Sequence, residues 1–299
     1  MANALSAFSE ALTAAAEQGG AGTVLVDARR RYPASGIAFA ADLVLTADHV
    51  VTREEDLRVV TGDGRSMAAT IAGRDPGSDL AVLRLADGEL KAAKIASAAA
   101  KVGQLVLALG RPSEAGMQAS WGIITAIGGP ARTGRGGLLE EYIQTETTSY
   151  PGFSGGPLVN SEGEVLGLNT SGLTRGSALT IPVKSAWRIA DSLAKHGSVK
   201  RGYLGVRTQA VELPEAAQKA SKNRQSHGLL VMWLEEGGPA QSGGLLVGDI
   251  IVGLQGRPVA DPDDLFAALA SDTVGKPLGV DVLRGGKPET VTVTVGERK

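Results

Sequence analysis

The sequence predicts a mainly β chain in two parts: a large strand-rich domain of barrel or sandwich type, then a smaller α+β domain. Three observations carry this. The chain has 299 residues, enough for two ordinary domains. From Thr23 to about Val183, short apolar or alternating runs follow one another, cut by turn residues, as in closely spaced strands. After the polar bridge HGSVKRG the rhythm changes to longer strands around one well-marked helix. Glycine, at 41 residues, is about twice its usual share and suits a turn-rich globular chain.

Taken in order, residues 1–22 read as an N-terminal arm. Ala-rich residues 3–17 predict a short helix ending at Gly19-Gly20, marginal unless it packs on something. Residues 23–197 form the first domain, with strands expected at TVLVDA, SGIAFA, LVLT, LRVV, DLAVLRL, LVLALG, WGIITAIG, EYIQTE, GPLVN, EVLGLNT and ALTIPV. A helix closes it: Val183, Ala186, Trp187, Ala190, Leu193 and Ala194 recur at helical spacing, with Lys195 and His196 at the C-terminal dipole and Gly197 as the stop. Residues 198–202 are the linker and 203–299 the second domain. There, YLGVRTQ, GLLVMWLE, GDIIVGLQ, LGVDVLR and ETVTVTV predict strands. Asp261 caps a helix whose first turn takes Pro262 and whose apolar face is Leu265, Phe266 and Leu269.

Thirty Lys and Arg stand against 32 Asp and Glu, so the net charge of -2 gives no electrostatic footprint for nucleic acid or an anionic membrane. The absence of cysteine excludes disulfides, thiolate nucleophiles and cysteine-ligated zinc. With three histidines and no ligand spacing, neither a metal nor an organic cofactor is expected. No apolar run is long enough to span a bilayer. The first twenty residues lack a positive n-region and carry Glu10 and Glu17, so the sequence as it stands points to the cytoplasm, or to an extracytoplasmic place if an export signal was removed.

The stretch SYPGFSGGPLVN surrounds Ser154 with Gly152, Gly155 and Gly156. Glycine lets a backbone take positive φ and turn its amides inward, and two amides aimed at one point make an oxyanion hole. GFSGG also satisfies the nucleophile elbow of α/β-hydrolases. That elbow needs a helix after the serine, which Gly155-Gly156-Pro157 obstructs. The opposite order, His then Asp then Ser, has a candidate at each place. His49 follows an apolar strand in LVLTADHVV, and Asp79 precedes one in GSDLAVLRL. A serine hydroxyl needs an imidazole to take its proton, and the imidazole needs a carboxylate to set its tautomer. Asp48 and Asp75 stand close enough in the chain to compete for that role.

Taken together, LTADHVV, DPGSDLAVLRL and PGFSGGPLVN resemble the trypsin-like serine proteases of the HtrA (high-temperature-requirement) family, and RGYLGV with GDIIVGLQGRPV resembles the PDZ domain attached to them. The resemblance covers nearly all of the chain after residue 20. It implies a trypsin-like double β-barrel followed by an α+β PDZ domain, and an ATP-independent endopeptidase of protein quality control acting on unfolded or exposed polypeptide. Carried over, His49 is the general base, Asp79 its orienting partner and Ser154 the nucleophile. The amides of Gly152 and Ser154 make the oxyanion hole, and uncharged Thr148 is the floor of a specificity pocket for small or medium apolar residues. Gly128 to Leu139 falls where the family keeps a regulatory loop.

In the second domain the resemblance makes Tyr203, Leu204, Gly205 and Val206 the loop that holds a peptide C-terminal carboxylate. The peptide would add as a strand beside the helix carrying Leu265, Phe266 and Leu269. It also implies a homotrimer, with Phe8 of the arm as a contact. Two departures stand out: Phe153 and Tyr150 occupy positions where members commonly have Asn. Phe153 motivates an alternative, a catalytically inactive or locked scaffold that binds peptides through its PDZ domain.

Overall fold

A computed structural model describes residues 3–133, 137–173, 178–199, 202–269 and 273–297. The chain forms two compact units that divide after Val199. The central part of the expected regulatory loop and of the expected linker lies outside the described residues.

The first unit is built on two closed six-stranded barrels. Strands β1 (Thr23–Asp27), β2 (Ala34–Ala40), β3 (Leu43–Ala47), β4 (Leu57–Val60), β5 (Ser66–Asp75) and β6 (Leu80–Leu85) close the first, in the order β1-β2-β3-β6-β5-β4. Strands β7 (Leu105–Ser113) and β8 (Gly116–Gly128) begin the second. A small pair, β9 (Ala131–Arg132) and β10 (Leu138–Leu139), is followed by β11 (Tyr142–Thr145), β12 (Pro157–Val159), β13 (Val165–Thr170) and β14 (Leu179–Pro182), and the second barrel runs β11-β14-β13-β12-β7-β8. Every pair within the barrels is antiparallel. Closure removes the open edges that short strands would otherwise expose.

The Ala-rich segment is not a loose arm. Helix α1 (Ala4–Gly20) starts at Asn3, whose side chain accepts the Leu5 N–H. Its last turn is seated on the second barrel: a Cβ built on Gly19 would lie 2.8 Å from Leu109 and 2.9 Å from Val159. Only glycine permits that approach, which explains how a weak helix former finds the tertiary partner it needs. Helix α2 (Val183–His196) buries Ala186, Ala190 and Leu193, and Gly197 at φ 75° ends it in the left-handed conformation.

The second unit opens with β15 (Gly202–Tyr203), β16 (Val206–Glu212), α3 (Glu215–Ala220), β17 (His227–Leu234) and α4 (Pro239–Ser242). It continues with β18 (Ile250–Leu254), β19 (Arg257–Pro258), α5 (Pro262–Ala268), β20 (Pro277–Arg284), β21 (Lys287–Thr294) and β22 (Gly296–Glu297). Its sheet runs β16-β17-β18-β20-β21, which leaves β16 at an edge. Asp261 caps α5 through the amides of Asp263 and Asp264, and the Asp264 carboxylate returns to the Asp261 N–H.

Two buried carboxylates tie this unit together and set its acid sensitivity. Asp249 accepts from Arg284 at 2.8 and 2.7 Å and from Leu246 N–H at 2.9 Å. Asp281 accepts from Thr290 Oγ1 at 2.6 Å and Lys222 Nζ at 2.9 Å. Burial by itself pushes both upward, but these hydrogen bonds and the neighbouring cations outweigh it and hold both below the usual carboxylate range. A carboxyl group depressed in the folded state contributes stability above its unfolded value, near pH 4, and loses it as pH falls through the lower folded value. Calorimetry of the chain should therefore show the melting of the second unit weakening below about pH 4; a transition that keeps its full stability down to pH 2 would contradict these pairings.

Candidate active site

Strand β3 is buried along its whole length and delivers a single 3-10 turn, Asp48–Val50, on which His49 stands. Arg74 pins that turn: its Nε donates to Asp48 Oδ1 at 2.6 Å and its Nη2 to Val51 O at 2.9 Å. The two competing carboxylates are thereby assigned to the scaffold. Asp48 holds Arg74, and Asp75 closes its own turn by accepting from Ser78 Oγ at 2.6 Å. Asp79, in the turn between β5 and β6, takes φ 57°, a left-handed conformation Asp tolerates better than most residues. Its fully buried carboxylate accepts the His49 N–H at 2.8 Å on Oδ1 and the His49 Nδ1–H at 2.7 Å on Oδ2. Thr170 Oγ1, at the end of β13, donates to the same Oδ2. With Nδ1 holding its proton against the carboxylate, Nε2 is left as the basic nitrogen.

On the other side, Tyr150 to Phe153 make a tight turn closed by Phe153 N–H to Tyr150 O at 3.0 Å. Pro151 at its second position and Gly152 at φ 90° in its third give it type II character. Ser35 Oγ donates to Gly152 O at 2.7 Å and accepts Arg111 N–H at 2.8 Å, while Ser35 N–H donates to Ser154 O at 3.2 Å. The first barrel thus holds the serine loop from below. Gly155, at φ 88°, donates to Asn169 O at 2.8 Å, and a Cβ built there would lie 2.1 Å from Ser35 O. Only glycine fits. The N–H groups of Gly152 and Ser154 donate to no protein group among the described residues.

Phe153 is fully buried in the core of the second barrel with Ile124, Ile143 and Leu158. Its ring meets Tyr150 edge to face at 5.3 Å. The bulky side chain is taken up by the barrel core, so the reason for expecting a collapsed loop falls away.

The three expected residues converge on one dipeptide. Ser154 Oγ lies 3.1 Å from Ser171 Oγ and 3.4 Å from the Ser171 N–H. The next residue, Gly172, is so close to the pair that a Cβ there would lie 2.5 Å from both His49 Nδ1 and Asp79 Oδ2. Among the described residues no hydrogen bond joins His49 to Ser154 directly. Sequence reasoning does not single out Ser35, Thr170, Ser171 or Gly172; the polar NTSG ending of an apolar strand is a signal that could have found the last three.

Thr148 differs from its expected place. The chain after β11 runs along the surface, Thr148 is exposed, and its N–H donates to Ser120 Oγ at 2.8 Å. Asn169, whose carbonyl accepts the Gly155 N–H, is buried beside the serine loop with Thr180, the two joined by Thr180 Oγ1 to Asn169 Oδ1 at 2.7 Å. The hairpin β9–β10 reaches the Asp79 turn through Thr133 Oγ1, which donates to Gly77 O at 2.9 Å.

In the second unit, Tyr203 belongs to β15, paired with β22, rather than to a loop. Leu204 and Gly205 form the bend before edge strand β16, with Gly205 at φ 75°. Their carbonyls accept Ala240 N–H and Glu235 N–H, both at 2.8 Å, while their own amides donate to nothing among the described residues. Leu265 and Leu269 are buried in the core of this unit. Phe266, 43% exposed, is the member of the expected groove face that remains at the surface.

Comparison with known proteins agrees with this architecture. The trypsin-like peptidase domain family matches residues 34–168 and the PDZ domain family residues 202–295. A solved structure of the HtrA-type protease AlgW with tripeptide is 31% identical, with a TM-score of 0.78, covering 98% of this chain and 97% of that one. The chain belongs to the HtrA-type protease family. The serine endoprotease from Yersinia pestis, 29% identical with a TM-score of 0.78, shares the fold over 96% of this HtrA-type chain and 98% of its own. A protein of Rhizobium meliloti described as "Probable periplasmic serine endoprotease DegP-like" is 35% identical over 277 residues, which are 90% of this chain and 54% of that protein. This HtrA-type chain therefore spans about half the length of the curated relatives it matches.

Proposed function

We propose that this HtrA-type chain is a serine endopeptidase that cleaves unfolded or exposed polypeptide without ATP. Ser154 Oγ attacks the scissile carbonyl, His49 Nε2 takes its proton and returns it to the leaving amine, and Asp79 holds the imidazole and stabilises its cationic form. The N–H groups of Gly152 and Ser154 receive the charge that develops on the carbonyl oxygen. The observation that carries this reading is the buried Asp79 carboxylate gripping both the main-chain N–H and Nδ1–H of His49, at 2.8 and 2.7 Å. The unpaired amides beside Ser154 support it further. The uncharged Asn169–Thr180 pair beside the loop supports cleavage after uncharged residues.

The second unit is read as a recruiting or sensing module for apolar peptide C-termini. Its support is the free edge of β16, the open amides of Leu204 and Gly205, and exposed Phe266. A homotrimer is part of the same reading, with the exposed edge-to-face pair Phe8–Trp121, 6.2 Å apart, as a contact. The periplasmic description of the curated relatives supports a place outside the cytoplasm.

A fluorophosphonate probe, which reacts only with an activated serine, tests the chemistry. Labelling is expected at Ser154 and is expected to vanish in His49→Ala. No labelling of the intact chain, with or without an apolar C-terminal peptide, would overturn the proposal.

A further inference from the structure

The serine hydroxyl has a partner that the reaction does not require. Ser154 Oγ shares a hydrogen bond of 3.1 Å with Ser171 Oγ and lies 3.4 Å from the Ser171 N–H, and it makes no hydrogen bond to His49. Ser154 is 8% exposed, whereas Ser171 lies at the surface where β13 ends.

We infer that Ser171 is a positioning residue, a latch that holds the nucleophile's hydroxyl away from His49 in the free protein and releases it when a substrate backbone arrives. This rests on the proposed roles of Ser154 and His49. Their two positions make the latch physically simple. Thr170 faces Asp79 and Ser171 faces Ser154, as consecutive residues at a strand end point to opposite sides. Gly172 packs against the imidazole and carboxylate. One short segment therefore touches all three groups. A rotation between staggered rotamers at Ser154 re-aims its hydroxyl without rearranging the turn that presents Gly152. The latch keeps the hydroxyl less reactive toward small electrophiles that react without filling the cleft. An extended polypeptide displaces it.

The test compares the unchanged chain with Ser171→Ala and Ser171→Thr, using a small alkyl fluorophosphonate for the resting hydroxyl and casein for turnover. Loss of a single neutral hydrogen bond should speed inactivation of Ser171→Ala by about five- to tenfold. The ratio of inactivation rate to casein turnover should rise with it, because casein removes the latch in the unchanged protein too. Ser171→Thr, which keeps a hydroxyl, should return the inactivation rate to that of the unchanged chain. A purely structural role would lower both rates in both variants and leave the ratio alone. Equal inactivation of Ser171→Ala and the unchanged chain would overturn the latch while leaving the proposed chemistry intact; absence of labelling in all three would overturn both.

Discussion

Replacing Ser154 by Ala is expected to lower kcat on casein by roughly 10⁶, down to the rate that binding and the unpaired amides alone sustain. The size follows from the way the groups act together. An imidazole without a hydroxyl to deprotonate has no role in acyl transfer, so His49→Ala should cost about as much as Ser154→Ala, and the double variant little more. The fold should survive. The main-chain bond from Ser35 N–H to Ser154 O, at 3.2 Å, and the flanking bonds of Gly155 and Gly156 do not involve the hydroxyl. Only the contact with Ser171 is lost. Casein digestion at an undiminished rate by a pure Ser154→Ala preparation would mean that another group does the chemistry.

Asp79→Asn should lower kcat by about 10⁴ with little change in melting temperature. Asn fills the same space and tolerates the φ of 57° that this position demands. What it cannot do is accept three hydrogen bonds at once. The carboxylate receives the His49 N–H, the His49 Nδ1–H and the Thr170 hydroxyl, but an amide has one oxygen and presents N–H groups at the other side. An amide N–H facing Nδ1 forces that nitrogen to become the acceptor and moves the imidazole proton to Nε2, the nitrogen that must be basic. The measurement is steady-state turnover alongside a thermal melt. A loss smaller than tenfold would show that the carboxylate does not set the tautomer.

Much of the architecture was legible because its pattern is local. The runs TVLVDA, SGIAFA, LVLT and LRVV became β1 to β4, and DLAVLRL became β6, since β-branched and leucine-rich stretches between turn residues have few alternatives. Helix α2 and its glycine stop, and the Asp261 cap of α5, followed from positions within a single turn. Strand β5 was missed. Its sequence, SMAATIAGRD, has small residues and leaves most of its length partly exposed, so no apolar alternation announces it; pairing with β4 and β6 makes it a strand. The helix of residues 4–20 was readable, but its seat on Leu109 and Val159 was not, because that contact joins residues far apart in the chain.

The site divides in the same way. Its glycines and the order His49, Asp79, Ser154 were visible, since backbone freedom and reactive side chains are properties of residue types. Local sequence does not separate Asp48, Asp75 and Asp79, and the difference between them is tertiary: Asp48 faces Arg74, Asp75 faces Ser78, and Asp79 faces the imidazole. Whether Thr148 is covered is decided by the path of the chain after β11, which leaves it exposed.

By itself, then, the order of residues determined that this chain forms two units of strands and turns, with a glycine-framed serine able to present its amides; those outcomes depend on interactions within a few residues. The three-dimensional fold decided which carboxylate holds the histidine, which way Phe153 packs and what the serine hydroxyl touches at rest. The reason is distance along the chain. Asp79 and Thr170 are 91 residues apart, and no local preference specifies a hydrogen bond between them until two closed barrels have brought the ends of their strands together.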